Sequence, residues 1–215
     1  MAGFLVFEFF AILENMKEKK LTRSFYTRPT LQVAEDLLGK YLVRKIGRKT
    51  LVGKIIETEA YIGPKDKASH AYKGKKTARN QAEFLEGGHI YIYLVYGMYW
   101  QLNITTYKEG KPECVLIRVL EPINKSKQLK MQKSKFKIKN QNSKLLNLTN
   151  GPGKLCRWLK LDKSFYGEDL TESKRIWLED RGEKIKPSQI KRTARIGIDY
   201  AGPYWSKIKW RFVLK

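Results

Sequence analysis

Between residues 89 and 106 the chain reads HIYIYLVYGMYWQLNITT, and apolar and polar positions alternate with a period of two on both sides of Gly97. His89, Tyr91, Tyr93 and Val95 share one face of the first half, and Ile90, Ile92 and Leu94 share the other. Beyond the glycine, Tyr99, Gln101, Asn103 and Thr105 oppose Trp100, Leu102 and Ile104. The pattern predicts a β-hairpin with one face packed inward and one face of tyrosines and amides. Gly97 supplies the positive φ of a tight turn, which places Tyr96 and Met98 at the tip, where large apolar side chains have no core to enter.

Other segments follow their own periods. Residues 30–39 read as a helix with Thr30 as N-cap, Leu31, Ala34, Leu37 and Leu38 on one side, and Gly39 as terminator. Residues 40–52 read as two short strands around Gly47, followed by a third over 53–61. In the third, Ile55, Glu57, Glu59 and Tyr61 share a face, so two carboxylates point the same way. Paired acids on a strand are usually a solvated face, and the spacing does not choose between them. A loop through Asp66, His70, Tyr72 and Gly74 follows, then the basic run KGKKTARN (73–80), suited to phosphates or simply to water. Residues 113–120 predict a strand with Cys114, Leu116, Arg118 and Leu120 on one face; a buried arginine there needs an anion, and Glu59 would serve. A short helix begins near Gly153, and 176–215 reads as strand, basic helix and final strand.

Composition changes the picture through charge. The chain has 215 residues, with Lys+Arg 44 against Asp+Glu 21 and a formal net charge of +23, which predicts a polyanionic partner. With 42% hydrophobic and 12% aromatic residues it is a globular chain rather than a basic tail. Lysines at 125, 127, 130, 133, 135, 137 and 139 form a dense block, read as a loop with a modest electrostatic role. The 2 cysteines, Cys114 and Cys156, form no CxxC, so neither a disulfide framework nor a zinc site is suggested and an intracellular setting is expected. The apolar stretch 1–13 is interrupted by Glu8, lacks a basic leader and is shorter than the roughly 20 residues of a membrane span. It reads as a packed helix or as an extension upstream of a start at Met16.

The stretches ETEAYIGPKDKASHAYKGKKTARN (57–80), GGHIYIYLVYGMYWQLNI (87–104), CVLIRVLEP (114–122), NGPGKLCRWL (150–159) and ARIGIDYAG (194–202) resemble, in order and spacing, the alkyladenine (3-methyladenine, or methylpurine) DNA glycosylase family. The resemblance runs from about residue 21 to 212. It implies an α+β fold: a single domain over 21–215, preceded by an extension over 1–20, with a curved antiparallel β-sheet core, flanking helices and a protruding β-hairpin that inserts into DNA. It implies a monomeric, monofunctional enzyme of base excision repair that needs no metal or cofactor and acts on damaged double-stranded DNA, in the cytoplasm or nucleoid of a bacterium. Such an enzyme extrudes an alkylated or deaminated purine and hydrolyses its N-glycosidic bond.

By the same resemblance Glu59 is the general base and Arg118 holds it and its water. Tyr61, His70 and Tyr93 stack on the flipped base. The main chain at Ala68 and His70 reads its exocyclic edge, and Asn103 crowds a guanine 2-amino group. Tyr96 is the wedge with Met98 and Tyr99 beside it; Thr77, Arg79 and Lys154 contact phosphates. A basic RNA-binding protein would explain the charge and the aromatics but not Glu59 with Arg118. A nuclease would need clustered carboxylates for metal, which the sequence does not show.

Overall fold

The computed structural model describes residues 19–123 and 146–215, so the stretch 1–13 and the block 125–139, with the readings made on them, lie outside the described residues. In chain order the elements are β1 (Lys19–Lys20), α1 (Arg23–Tyr26), α2 (Thr30–Asp36), β2 (Tyr41–Ile46), β3 (Lys49–Ile62), β4 (Ile90–Val95) and β5 (Tyr99–Thr105). They continue with β6 (Glu113–Pro122), α3 (Pro152–Leu159), β7 (Ile176–Asp180), β8 (Ile190–Thr193), α4 (Pro203–Lys207) and β9 (Arg211–Leu214). The strands form one antiparallel sheet in the order β1-β7-β2-β3-β6-β5-β4, with β9 pairing both β3 and β8.

β3 is the hub. Its first half pairs with β2; past Lys54 that edge passes to β9, which pairs with Glu57 through Glu59, while β6 runs along the opposite edge from Gly53 to Ile62. The third strand expected at 53 is therefore a continuation of the second. Gly53, where that third strand was expected to begin, lies inside β3 and makes room for Leu120, whose Cβ would lie 2.9 Å from any Cβ added there.

The alternation expected along β3 also changes phase. Ile55 pairs with Leu120, Glu57 with Val119 and Thr58 with Ile117, which leaves Ile56 extra on one strand and Arg118 extra on the other. Ile55 thereby leaves the face of Glu57 and Glu59 and joins Ala60 in the core, and Leu120 leaves the face of Arg118 to join Ile117 and Val115. The two slips cancel.

The core lies between the sheet, α2 and α3. It contains Val33, Ala34, Leu37, Leu42, Ile55, Ile90, Ile92, Leu102, Ile104, Ile117, Leu120, Leu155 and Leu159. Each large aliphatic side chain here stabilises by about 1.5–3 kcal/mol. Thr30 is not the cap of α2: Pro29 holds the N-cap position, and the Thr30 hydroxyl bonds Thr106 Oγ1 at 2.8 Å and the Glu113 carboxylate. The basic helix expected in the C-terminal part is instead strand β8 and the short α4, entered through Gly202 and Pro203. No described helix is long and apolar enough to cross a membrane.

Candidate functional site

The hairpin β4–β5 divides as the alternation predicts. Ile90, Ile92, Leu102 and Ile104 enter the core, while Tyr91, Tyr93, Gln101 and Asn103 line a cleft of about 1010 Å³. The loop carrying Ala68 and His70, strand β6, the start of α3 and residues 196–200 enclose the rest.

One wall is aromatic. The His70 ring meets Tyr93 edge-on at 4.6 Å between centroids, and its Nδ1 lies 2.6 Å from the Tyr91 hydroxyl. Burial, with Arg79 adding to it, lowers the His70 pKa to about 4, so the imidazole is neutral at physiological pH. Tyr61, also lining the cleft, donates its hydroxyl to Glu59 Oε2 at 2.9 Å. The Arg195 guanidinium sits 4.7 Å over the Tyr61 ring. A buried ion pair fixes that cation: Arg195 Nη2 donates to Asp66 Oδ1 at 2.9 Å, with both side chains 0% exposed. Asp66 Oδ1 also accepts the Ala68 N–H at 2.9 Å, and the Tyr200 hydroxyl donates to the Ala68 carbonyl at 3.0 Å. Both main-chain groups of Ala68 thus have protein partners. One ion pair sets the Tyr61 ring and the Ala68 backbone together.

The paired acids are not a solvated face. Glu59 has a side chain 0% exposed, accepts hydrogen bonds from the Tyr61 hydroxyl and from the Ile196 N–H at 2.9 Å, and forms an ion pair with Arg118, whose Nη1 lies 3.3 Å from Oε2. Burial raises its pKa, and Arg118, the Ile196 amide, Tyr61 and Arg195 draw it back. Both hydrogen-bond partners donate and both neighbouring guanidinium groups are cationic, so the oxygens are dressed as those of a carboxylate rather than of an acid. Glu57 is clamped between two arginines, accepting at Oε1 from Arg118 Nε at 2.9 Å and from Arg211 Nε at 2.7 Å. Glu59 does not itself line the cleft; Tyr61, Ile196 and Arg118, which hold it, do.

Tyr96 is 85% exposed and Met98 62%, at a turn closed by the Met98 N–H on the Val95 carbonyl at 3.1 Å. Both Tyr96 and Gly97 take positive φ, 52° and 67°. Glycine adopts this freely, whereas a bulky aromatic there is strained. Tyr99 rests on the start of α3, where a Cβ on Gly153 would come within 2.9 Å of its ring. Asn103 is buried, its amide donating to the Tyr91 and Gln101 carbonyls at 3.1 and 3.3 Å.

Of the expected phosphate ligands, Arg79 lies 5.2 Å over the Tyr93 ring and donates to the Leu94 carbonyl at 2.9 Å; Lys154 is at the rim, its Nζ 2.8 Å from Asn150 Oδ1. Thr77 is exposed, outside the cleft, and bonds Asn80. The structure thus gathers Tyr61, Ala68, His70, Arg79, Tyr93, Tyr96, Tyr99, Asn103, Arg118 and Lys154 around one cleft, with Glu59 behind its wall and Met98 and Thr77 outside it. The sequence reading gave no role to Asp66, Glu83, Arg195, Ile196 or Tyr200. ARIGIDYAG, with an arginine between small and apolar residues, was the signal for three of them. Among the described residues no three His, Cys, Asp or Glu side chains are grouped as ligands for a metal ion.

The model of the methylpurine-DNA glycosylase family matches residues 24–215. A candidate 3-methyladenine DNA glycosylase of Clostridioides difficile is 43% identical over 211 residues, covering 91% of this chain and 100% of its own. Proteins of the same description from Desulfitobacterium hafniense and Methanocella arvoryzae are each 44% identical, covering 92% and 89% of this chain and 96% and 90% of theirs.

Proposed function

Since the chain belongs to the methylpurine-DNA glycosylase family, and so to the hydrolases that cleave N-glycosidic bonds in DNA, we propose that it removes alkylated and deaminated purines by extruding them into the cleft and hydrolysing the bond with a water activated by Glu59. The substrates are purines such as 3-methyladenine, hypoxanthine and ethenoadenine, and the product is an abasic site. The observation that carries this reading is the carboxylate of Glu59, wholly buried yet held by two hydrogen-bond donors and the Arg118 cation, which themselves form the cleft wall.

A purine entering the cleft lies between Tyr61, backed by Arg195, and the His70–Tyr93 pair, where stacking contributes about 1–3 kcal/mol. Its sugar then sits over Tyr61, Arg118 and Ile196. The transition state of glycosidic hydrolysis is cationic at the sugar, so Glu59 serves twice, taking a proton from the water and stabilising that charge. The Arg118 contact with Glu59, 3.3 Å, is looser than its 2.9 Å bond to Glu57. Arg118 therefore stays anchored on Glu57 when a water takes its place on Glu59. Tyr96 fills the gap the base leaves in the stack, with Met98 and Tyr99 beside it. Lys154, exposed at the rim and bonded to Asn150, serves on this reading to meet a phosphate rather than the sugar carbon, in keeping with hydrolysis by water alone.

Single-turnover excision from a duplex carrying hypoxanthine tests this. Glu59→Gln should lose about 10²–10⁴-fold in rate while keeping its affinity for the lesion. An undiminished rate would remove Glu59 from the chemistry.

A further inference from the structure

Glu83 lies in the turn between Asn80 and Leu85, is 1% exposed, and lines the cleft beside Asn103, Cys114 and Tyr91. Its Oε1 is 3.6 Å from the Cys114 thiol, and its Oε2 has no hydrogen-bond partner. The Asn80 amide lies close and steadies the carboxyl, its Nδ2 also bonding the Lys75 carbonyl at 2.9 Å, but it leaves Oε2 unpartnered. Neither neighbour is a cation. Arg79, which also lines the cleft, is spent on Tyr93 and Leu94. A buried carboxyl with one oxygen unmatched is costly, and native proteins rarely carry one without a partner that arrives later. Methionine would fill the same space without that cost. The mechanism above makes no use of this group.

The occupant of the cleft, on the glycosylase reading from which this inference starts, is a purine. Alkylation on a ring nitrogen of a purine nucleoside leaves a positive charge shared over the ring, whereas deamination to hypoxanthine leaves it neutral. A carboxylate with a free oxygen, set in an aromatic cleft, matches the first kind and gains little from the second. We propose that Glu83 reads the charge of the extruded base, favouring cationic alkylated purines over neutral deaminated ones. It touches the base and not the sugar, so it sets which lesion is bound rather than how the bond is cut. Burial, opposed by Asn80 and Cys114, pushes its pKa up to about 7, so the free protein carries it partly neutral and a cation in the cleft draws it to the carboxylate.

The test compares two lesions in one protein. Single-turnover release of 3-methyladenine from a methylated duplex, above its spontaneous loss and with enzyme in excess of DNA but below saturation so that binding is read, is measured against release of hypoxanthine, for the wild type, Glu83→Gln and Glu83→Met. The ratio of the two rates is insensitive to how much of a variant is folded, and methionine supplies a second variant should glutamine pack badly. The ratio should fall about 10–100-fold in both variants, the size expected for a hydrogen bond to a charged group, chiefly through loss on 3-methyladenine. An unchanged ratio, or an equal loss on both lesions, would overturn the role of Glu83. A wild type that releases neither base would instead overturn the glycosylase reading itself.

Discussion

At the scale of single residues the cleft holds two buried groups displaced in opposite directions. Glu83 is raised from 4.5 to about 7 by burial, and His70 is lowered from 6.5 to about 4 by the same cause. Between about pH 4.5 and 7 the folded protein keeps a proton on Glu83 that the unfolded chain has released, so this group costs stability as pH rises, by about 3 kcal/mol once the window is passed. Between about pH 4 and 6.5 the unfolded chain binds a proton that folded His70 refuses, so that group adds a similar amount as pH rises. The two slopes oppose each other where they overlap. Around them Cys114, Tyr91, Tyr93 and Tyr166 are all raised by burial and stay protonated through the range. Melting curves at pH 5 to 8 should show Glu83→Gln gaining several degrees on the wild type as pH rises, and His70→Asn leaving the falling limb alone. Parallel profiles would mean that neither group titrates there. The two acids of β3 separate by the same kind of argument. Glu57, held by Arg118 and Arg211, supports the site, so Glu57→Gln should slow excision less than Glu59→Gln; the reverse order would move the base to Glu57.

At the scale of elements the hairpin joins a packed base to an exposed tip. Tyr91 is 1% exposed and its truncation to alanine should cost about 3–5 kcal/mol. Tyr96 buries little and holds a strained φ, so Tyr96→Asn, a residue that tolerates the left-handed region, should leave the melting temperature unchanged or raise it by about 2–4 °C. Excision should nonetheless fall, most for a lesion in a stable pair and least for one in a mismatch, where extrusion is cheap. A destabilised protein with full excision per folded molecule would return Tyr96 to packing. This element was legible because one period of two runs unbroken along each arm. β3 and β6 were legible as strands that bring Arg118 to Glu59, but Ile55 and Leu120 were put on the wrong face, because paired bulges at Ile56 and Arg118 reverse the phase midway and nothing in the local composition marks a bulge. Thr30 was misread for a related reason: a threonine before an apolar helix looks like a cap, while its real partners, Thr106 and Glu113, come from elsewhere in the fold.

At the scale of the whole molecule, charge and long-range pairing divide the work. A net charge of +23 predicts that affinity for undamaged duplex falls by about 10³-fold between 50 and 200 mM salt, as six or more phosphate contacts would give. Removing residues 125–139 should flatten that dependence in fluorescence anisotropy and leave the single-turnover rate intact. If the rate at saturating enzyme fell as far as the affinity, the block would serve the fold instead. Partners distant in sequence are what the chain does not announce: Asp66 and Arg195 are 129 residues apart, and Glu83 sits in a turn with no period at all. That separation bears on synthesis. The ribosome delivers Glu57, Glu59 and the hairpin early, but the Ile196 amide, Arg195 and Arg211 come from the last part of these 215 residues. A nascent chain that has made only β1 to β6 holds two acids with a single arginine between them and an aromatic ring with nothing behind it. On the proposed chemistry, competence to cut waits for residues 195–211, so synthesis halted before them leaves a chain that has the hairpin but lacks the late partners of Glu57 and Glu59.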